Sequence, residues 1–108
     1  MTVSEMAQKL ELKSFYVPEG DREVTGGYAG DLLSWVMGRA KAGDAWITIM
    51  SNINIVAVAT LADPACIVLS EGVEPDADAI AKAEAMGVNV LGSKKDTFSL
   101  SAEIAALL

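Results

Sequence analysis

The side chains able to do chemistry in this chain are few. Its 108 residues include no histidine and a single cysteine, Cys66. The commonest general base and metal ligand is therefore missing. Hydroxyls, side-chain amides, lysines and carboxylates remain, and these suit binding better than catalysis. Three polar clusters each follow an apolar run: Ser51-Asn52-Ile53-Asn54, Ser70-Glu71-Gly72 and Ser93-Lys94-Lys95-Asp96-Thr97. Hydroxyls and free backbone N–H groups ahead of helices suit an anion. Lys94 and Lys95 supply adjacent positive charges. The same residue types also cap helices and turn the chain with no ligand at all. A fourth candidate is the glycine-rich run Thr25-Gly26-Gly27-Tyr28-Ala29-Gly30-Asp31. It reads as a tight turn feeding a core helix, or as a backbone cradle for an anionic ligand at that helix's N-terminus.

Catalytic constellations are not found. There is no Gly-x-x-x-x-Gly-Lys-[Ser/Thr] phosphate-binding loop, and the glycines at 26, 27 and 30 have neither the spacing nor the context of a dinucleotide fingerprint. Cys66 sits within an apolar run and reads as a small core residue. Glu71, Glu74, Asp76 and Asp78 form an acidic cluster, but no metal-ligand set is defined. We therefore expect no catalytic residue, no metal and no enzyme activity.

The elements that must position these residues can be read in order. Thr2-Val3-Ser4-Glu5 is a capping box opening a helix with Val3, Met6, Ala7 and Leu10 on one face. No basic recognition helix follows it. Lys13 to Val17 is a short strand, Pro18 to Asp21 a turn, and Arg22 to Val24 a further extended piece. Asp31 reads as the cap of a helix to Met37, with Gly38 as its stop. Ala45 to Met50 is a strand. Ile53 to Leu61 is apolar nearly all round and reads as a buried helix, with Asn52 or Asn54 capping it. Ala65 to Leu69 and Val88 to Leu91 are buried strands. A helix from about Asp76 to Met86 lies between them, opened by Pro75 and closed by Gly87. Asp96 caps a last helix to Leu108, with Phe98, Ala102 and Ala105 on one stripe. Short apolar strands alternating with helices predict one α/β domain over residues 1–108. It is a layered sandwich with a mainly parallel sheet of about four or five strands flanked by helices.

Composition bounds the partners. The chain is 52% hydrophobic, enough for a core, and carries a net charge of −7. The acidic balance argues against nucleic acid and against an anionic membrane surface. No apolar run approaches the roughly 18 residues of a membrane span, and no signal peptide is apparent. One unpaired cysteine fits a cytoplasmic address. Tyr28, Trp35, Met37 and Trp46 are large side chains for so small a domain, and any that lie at the surface mark an interface.

Val3, Thr25-Gly26-Gly27-Tyr28, Gly43-Asp44-Ala45-Trp46-Ile47-Thr48 and Asp96-Thr97-Phe98 together resemble the DRTGG domain over nearly the whole chain. That family occurs beside CBS domains in some inorganic pyrophosphatases, within some phosphotransacetylases and as small single-domain proteins, and is related to the N-terminal domain of HPr kinase/phosphorylase. The resemblance implies that fold and a symmetric homodimer. In related domains the loop after the first buried strand looks like Gly-Asp-Arg; here it is Ser51-Asn52-Ile53-Asn54, without the arginine. A later Thr-Gly-Gly corresponds to Ser70-Glu71-Gly72. The functional expectation is a non-catalytic regulatory module, homodimeric, sensing a nucleotide-like or other small anionic ligand at the carboxyl ends of the strands. Thr25, Gly26, Gly27, Ser51, Asn52, Asn54, Ser70, Gly72, Ser93, Lys94, Asp96 and Thr97 are its expected ligand residues. The alternative is an adaptor without a ligand, serving a redox or signalling partner.

Overall fold

A computed structural model describes all residues from Met1 to Leu108. The chain runs α1 (Val3–Lys9), β1 (Lys13–Tyr16), β2 (Gly26–Ala29), α2 (Leu33–Arg39), β3 (Asp44–Thr48), α3 (Asn54–Ala62), β4 (Cys66–Leu69), α4 (Ala77–Met86), β5 (Val90–Gly92) and α5 (Thr97–Leu107). The strands form one sheet in the order β1-β5-β4-β3-β2. All neighbours are parallel except β1, which lies antiparallel to β5.

The alternation of strand side chains divides the core in two. Ala45, Ile47, Cys66, Val68 and Leu91 face one side and pack with Val3 and Met6 of α1 and Leu100 and Ile104 of α5. Trp46, Ile67, Leu69 and Val90 face the other and pack with Val36 of α2, Ile55, Val56, Val58 and Ala59 of α3, and Ala83 of α4. Strands β2 to β5 step across the sheet in one direction, and their three connecting helices share one face. The strand order therefore has no reversal within its parallel part, and so lacks the crevice that such a reversal opens.

Local chemistry explains the ends. Thr2 and Glu5 form the expected capping box. Gly87 ends α4 with φ +71°, and Asp96 caps α5 by accepting from Ser99 N–H at 3.0 Å. Asn89, just before β5, is 3% exposed. Its side chain accepts from Glu19 N–H and donates to Glu19 and Ala65 carbonyls, each at 2.9 Å. It thus fastens the turn at Pro18–Asp21 to the sheet.

Five expectations are corrected. The glycine-rich run is not a cradle before a helix: Gly26 to Ala29 form strand β2, paired in regular register with Asp44 to Ile47. Gly26 there approaches Asp44 so closely that a Cβ would stand 2.7 Å from its carboxylate. Asp31 does not cap α2, which starts at Leu33 without a side-chain cap. It accepts instead from Thr48 Oγ1 at 2.8 Å and Ile49 N–H at 2.9 Å, tying the end of β2 to the end of β3. Gly38 lies inside α2. The stripe Phe98, Ala102 and Ala105 faces solvent, whereas Leu100 and Ile104 are the buried side of α5. The helix from Asn54 is also less enclosed than its composition suggests, since Leu61 is 71% exposed.

Candidate functional site

The loops after β4 and β5 interlock. Ser70 is fully buried, and its hydroxyl lies 2.7 Å from that of Thr97. Glu71 N–H donates to Lys95 carbonyl at 2.8 Å, and Gly72 N–H to Ser93 carbonyl at 2.9 Å. Glu71 carboxylate accepts from Thr97 N–H at the start of α5. Glu71 and Gly72 both take left-handed backbone, with φ of +62° and +73°. That conformation is costly at Glu71 and ordinary for Gly72. Bonds to Ser99 hold the Asp96 carboxyl below its ordinary range. Ser70, Gly72, Ser93, Asp96 and Thr97 thus form one rim, whose hydroxyls and amides largely satisfy each other.

The other expected ligand residues lie apart from this rim. Ser51 carbonyl accepts from Asp76 N–H at 2.9 Å, joining the end of β3 to α4. Asn52 Oδ1 accepts from Asn54 N–H at 2.9 Å, a local turn that starts α3. Thr25, Gly26 and Gly27 sit at the amino end of the sheet, beside Asp44, Arg39 and Lys41. Parallel strands place that end away from Ser93 and Thr97, so one crevice cannot gather all three groups.

The rim borders a cavity of about 330 Å³ between β1 and the ends of β4 and β5. Lys13 and Phe15 of β1 form one wall, Gly72, Val73 and Glu74 another, and Gly92, Ser93, Lys94 and Lys95 the third. Gly92 gives the Phe15 ring its place. A Cβ at that position would stand 2.6 Å from Phe15 Cε2, so a larger residue displaces the ring from its present position. Lys13 Nζ lies 5.1 Å from the Phe15 ring centre and 2.8 Å from Glu74, whose carboxyl it holds below the ordinary range. Lys95 pairs with Glu103, while Lys94 forms no ion pair. Three of the eight cations of a chain with net charge −7 therefore surround one crevice. They face two carboxylates, Glu11 and Glu74. Lys13, Phe15 and Gly92 were not among the expected ligand residues. Lys13 and Phe15 alternate along a strand, but their neighbour across the sheet is about 80 residues on in sequence, a pairing that no local pattern reveals.

The four large side chains divide. Trp35 and Met37 are 52% and 49% exposed on α2, and the Arg39 guanidinium stacks 3.7 Å from the Trp35 ring centre. Tyr28 is half-buried against the α2–α3 side of the core. Trp46 is fully buried and donates its indole N–H to Gly30 carbonyl at 2.9 Å, so it is a core residue and not an interface residue.

Cys66 is buried within β4, and loss of water pushes its thiol up to about 12. No group of three or more Cys, Asp or Glu side chains converges as a metal site would require. No helix is long and apolar enough to cross a membrane.

The DRTGG domain model matches residues 28–107. The chain belongs to the DRTGG family. The match begins at Tyr28, so Thr25-Gly26-Gly27 and the segment before them lie outside it. A crystal structure of the CBS and DRTGG domains of the regulatory region of Clostridium perfringens pyrophosphatase, complexed with activator, diadenosine tetraphosphate, has a similar fold. The TM-score is 0.74 at 16% identity, over 95% of this chain and 45% of that one. The chain thus spans a little under half the length of that relative. No curated protein sequence matches it.

Proposed function

We propose that this protein is a non-catalytic regulatory module, working as a homodimer, that holds a small anionic ligand in the crevice between β1 and the carboxyl ends of β4 and β5. The observation that carries this reading is the concentration of Lys13, Lys94 and Lys95 around one cavity in an otherwise acidic chain. Lys94 offers an uncommitted charge, and Phe15, Leu10 and Val73 give an apolar wall for a ring or chain attached to the anion. The chemistry fits a nucleotide-like compound, and the nucleotide activator named for the pyrophosphatase relative supports that choice.

Ligand binding competes with an existing contact. An anion beside Lys13 draws its ammonium from Glu74 and so loosens the tie between β1 and the β4–α4 loop. Occupied and empty states then differ in how that loop is held, which is the differential interaction a regulatory population shift needs. A thermal-stability series with diadenosine tetraphosphate, ADP and pyrophosphate tests the reading. Saturation by one of them at about 100 times Kd stabilises the fold by about 2.7 kcal/mol. Lys94→Ala weakens that compound about tenfold, or roughly 1.4 kcal/mol.

The adaptor reading is favoured by a different observation, the exposed Leu32, Trp35 and Met37 on and beside α2. It predicts no stabilisation by any anion and capture of a redox or signalling partner that Trp35→Ala abolishes.

A further inference from the structure

We infer that two copies of this chain associate through the free edge of β2, antiparallel across a two-fold axis. This rests on the homodimer reading above and names the surface. The sheet has two edges, and they differ. The β1 edge carries Lys13, loses register between Ser14 and Tyr16, and leads into Pro18. A charge, a bulge and a proline are the usual devices that keep an edge from pairing. The β2 edge has none of them. Its sequence is Gly-Gly-Tyr-Ala, uncharged and in unbroken register with β3. Gly27 and Ala29 are exposed along it, and residues this small let another strand approach the edge.

The flanks of this edge are apolar. On the α2 side, Leu32 and Trp35 are 58% and 52% exposed. On the α5 side, Ala105 and Leu108 border a notch of about 270 Å³ that runs under Gly27 to Ile47 and Ile104. Exposed apolar surface on both faces of an unprotected edge is what a sheet continued into a partner would cover.

Charge selects the occupant. Arg39, stacked on Trp35, and Lys41 share a cavity with Thr25 to Tyr28 at the amino end of β2, where the one carboxylate, Asp44, is buried and accepts from Lys41 N–H, leaving an excess of positive charge. Asp31 lies just beyond its carboxyl end, and only its Oδ1 is engaged within the chain. An antiparallel second copy brings Arg39 and Lys41 to the partner's Asp31, and the symmetry repeats the contact. A parallel copy would set like charges side by side. Self-complementarity of this kind is the signature of an isologous two-fold contact.

The test is the mass of the full chain in solution, by sedimentation over a range of concentrations, with far-UV circular dichroism confirming the fold. We expect twice the 11.3 kDa of one chain. Ala29 is exposed, so Ala29→Lys keeps the fold and yields a monomer. The double variant Arg39→Glu, Lys41→Glu weakens association at least about tenfold, and added salt weakens the parent dimer. Lys82→Glu, on the exposed side of α4, leaves the mass unchanged. A dimer that survives Ala29→Lys overturns the β2 surface but keeps the homodimer. A dimer indifferent to the Arg39 and Lys41 changes overturns the antiparallel arrangement. A monomer at every concentration overturns both the surface and the homodimer.

Discussion

Asn89 shows how one side chain can hold a segment that has no regular structure. Its amide satisfies both backbone groups of Glu19 and the buried Ala65 carbonyl. Asn89→Ala leaves these groups without partners and should cost roughly 2–3 kcal/mol in urea unfolding. Glu71 combines a benefit and a strain: it caps α5 through Thr97 N–H while holding φ at +62°. Glu71→Ala loses the cap and keeps the strain, whereas Glu71→Gly loses the cap and relieves it. We expect the glycine variant to be the more stable of the two by about 1 kcal/mol. Titration acts at both ends of the pH scale. Glu5, Glu74 and Asp96 have folded values below their ordinary ones. Their contribution is complete above the unfolded range of about 4 and fades as pH falls through the folded values. Cys66 is raised, so its contribution is complete below the unfolded thiol's value of about 8.5. It is lost as pH climbs toward about 12, because only the unfolded chain releases the proton. Cys66→Ala should therefore flatten part of the alkaline decline in denaturation midpoints, and native Cys66 should resist thiol reagents.

At the scale of elements, legibility followed the strength of local signals. The capping box at Thr2, the Pro75 and Gly87 limits of α4, and the runs Ala65–Leu69 and Val88–Leu91 each carry their own instructions, and the observed elements match them within a residue or two. The corrections fall where tertiary context decides. Gly26, Gly27 and Ala29 have low strand propensity, and the segment becomes a strand by pairing with β3. In α5, Phe98-Ala102-Ala105 and Leu100-Ile104 are both apolar at helical spacing, and only the sheet selects the second for burial. The rim was legible because Ser, Gly and Asp mark loop chemistry. The crevice beside it was not, because it depends on β1 lying against β5. The two tryptophans offer a check on this packing. Trp46 is sealed and Trp35 is open with Arg39 over it. Trp35→Phe should leave a blue-shifted emission that acrylamide barely quenches. Strong quenching in that variant would contradict the buried position of Trp46.

For the whole molecule, topology and charge point in complementary directions. Strands β2 to β5 advance without reversal, with their crossover helices on one face, so the sheet opens no crevice in its middle. The two proposed binding surfaces lie at its margins: the β1–β5 crevice with its lysines at one side, and the uncharged β2 edge at the other. In the function we propose, the crevice binds a small anion. The most direct measurement is calorimetric titration of the purified protein and of Lys94→Ala with diadenosine tetraphosphate, ADP and pyrophosphate at low salt. Saturable binding of at least one compound, weakened about tenfold in the variant and further by added salt, is the predicted result. Absence of heat with all three, or binding that Lys94→Ala leaves unchanged, would contradict it.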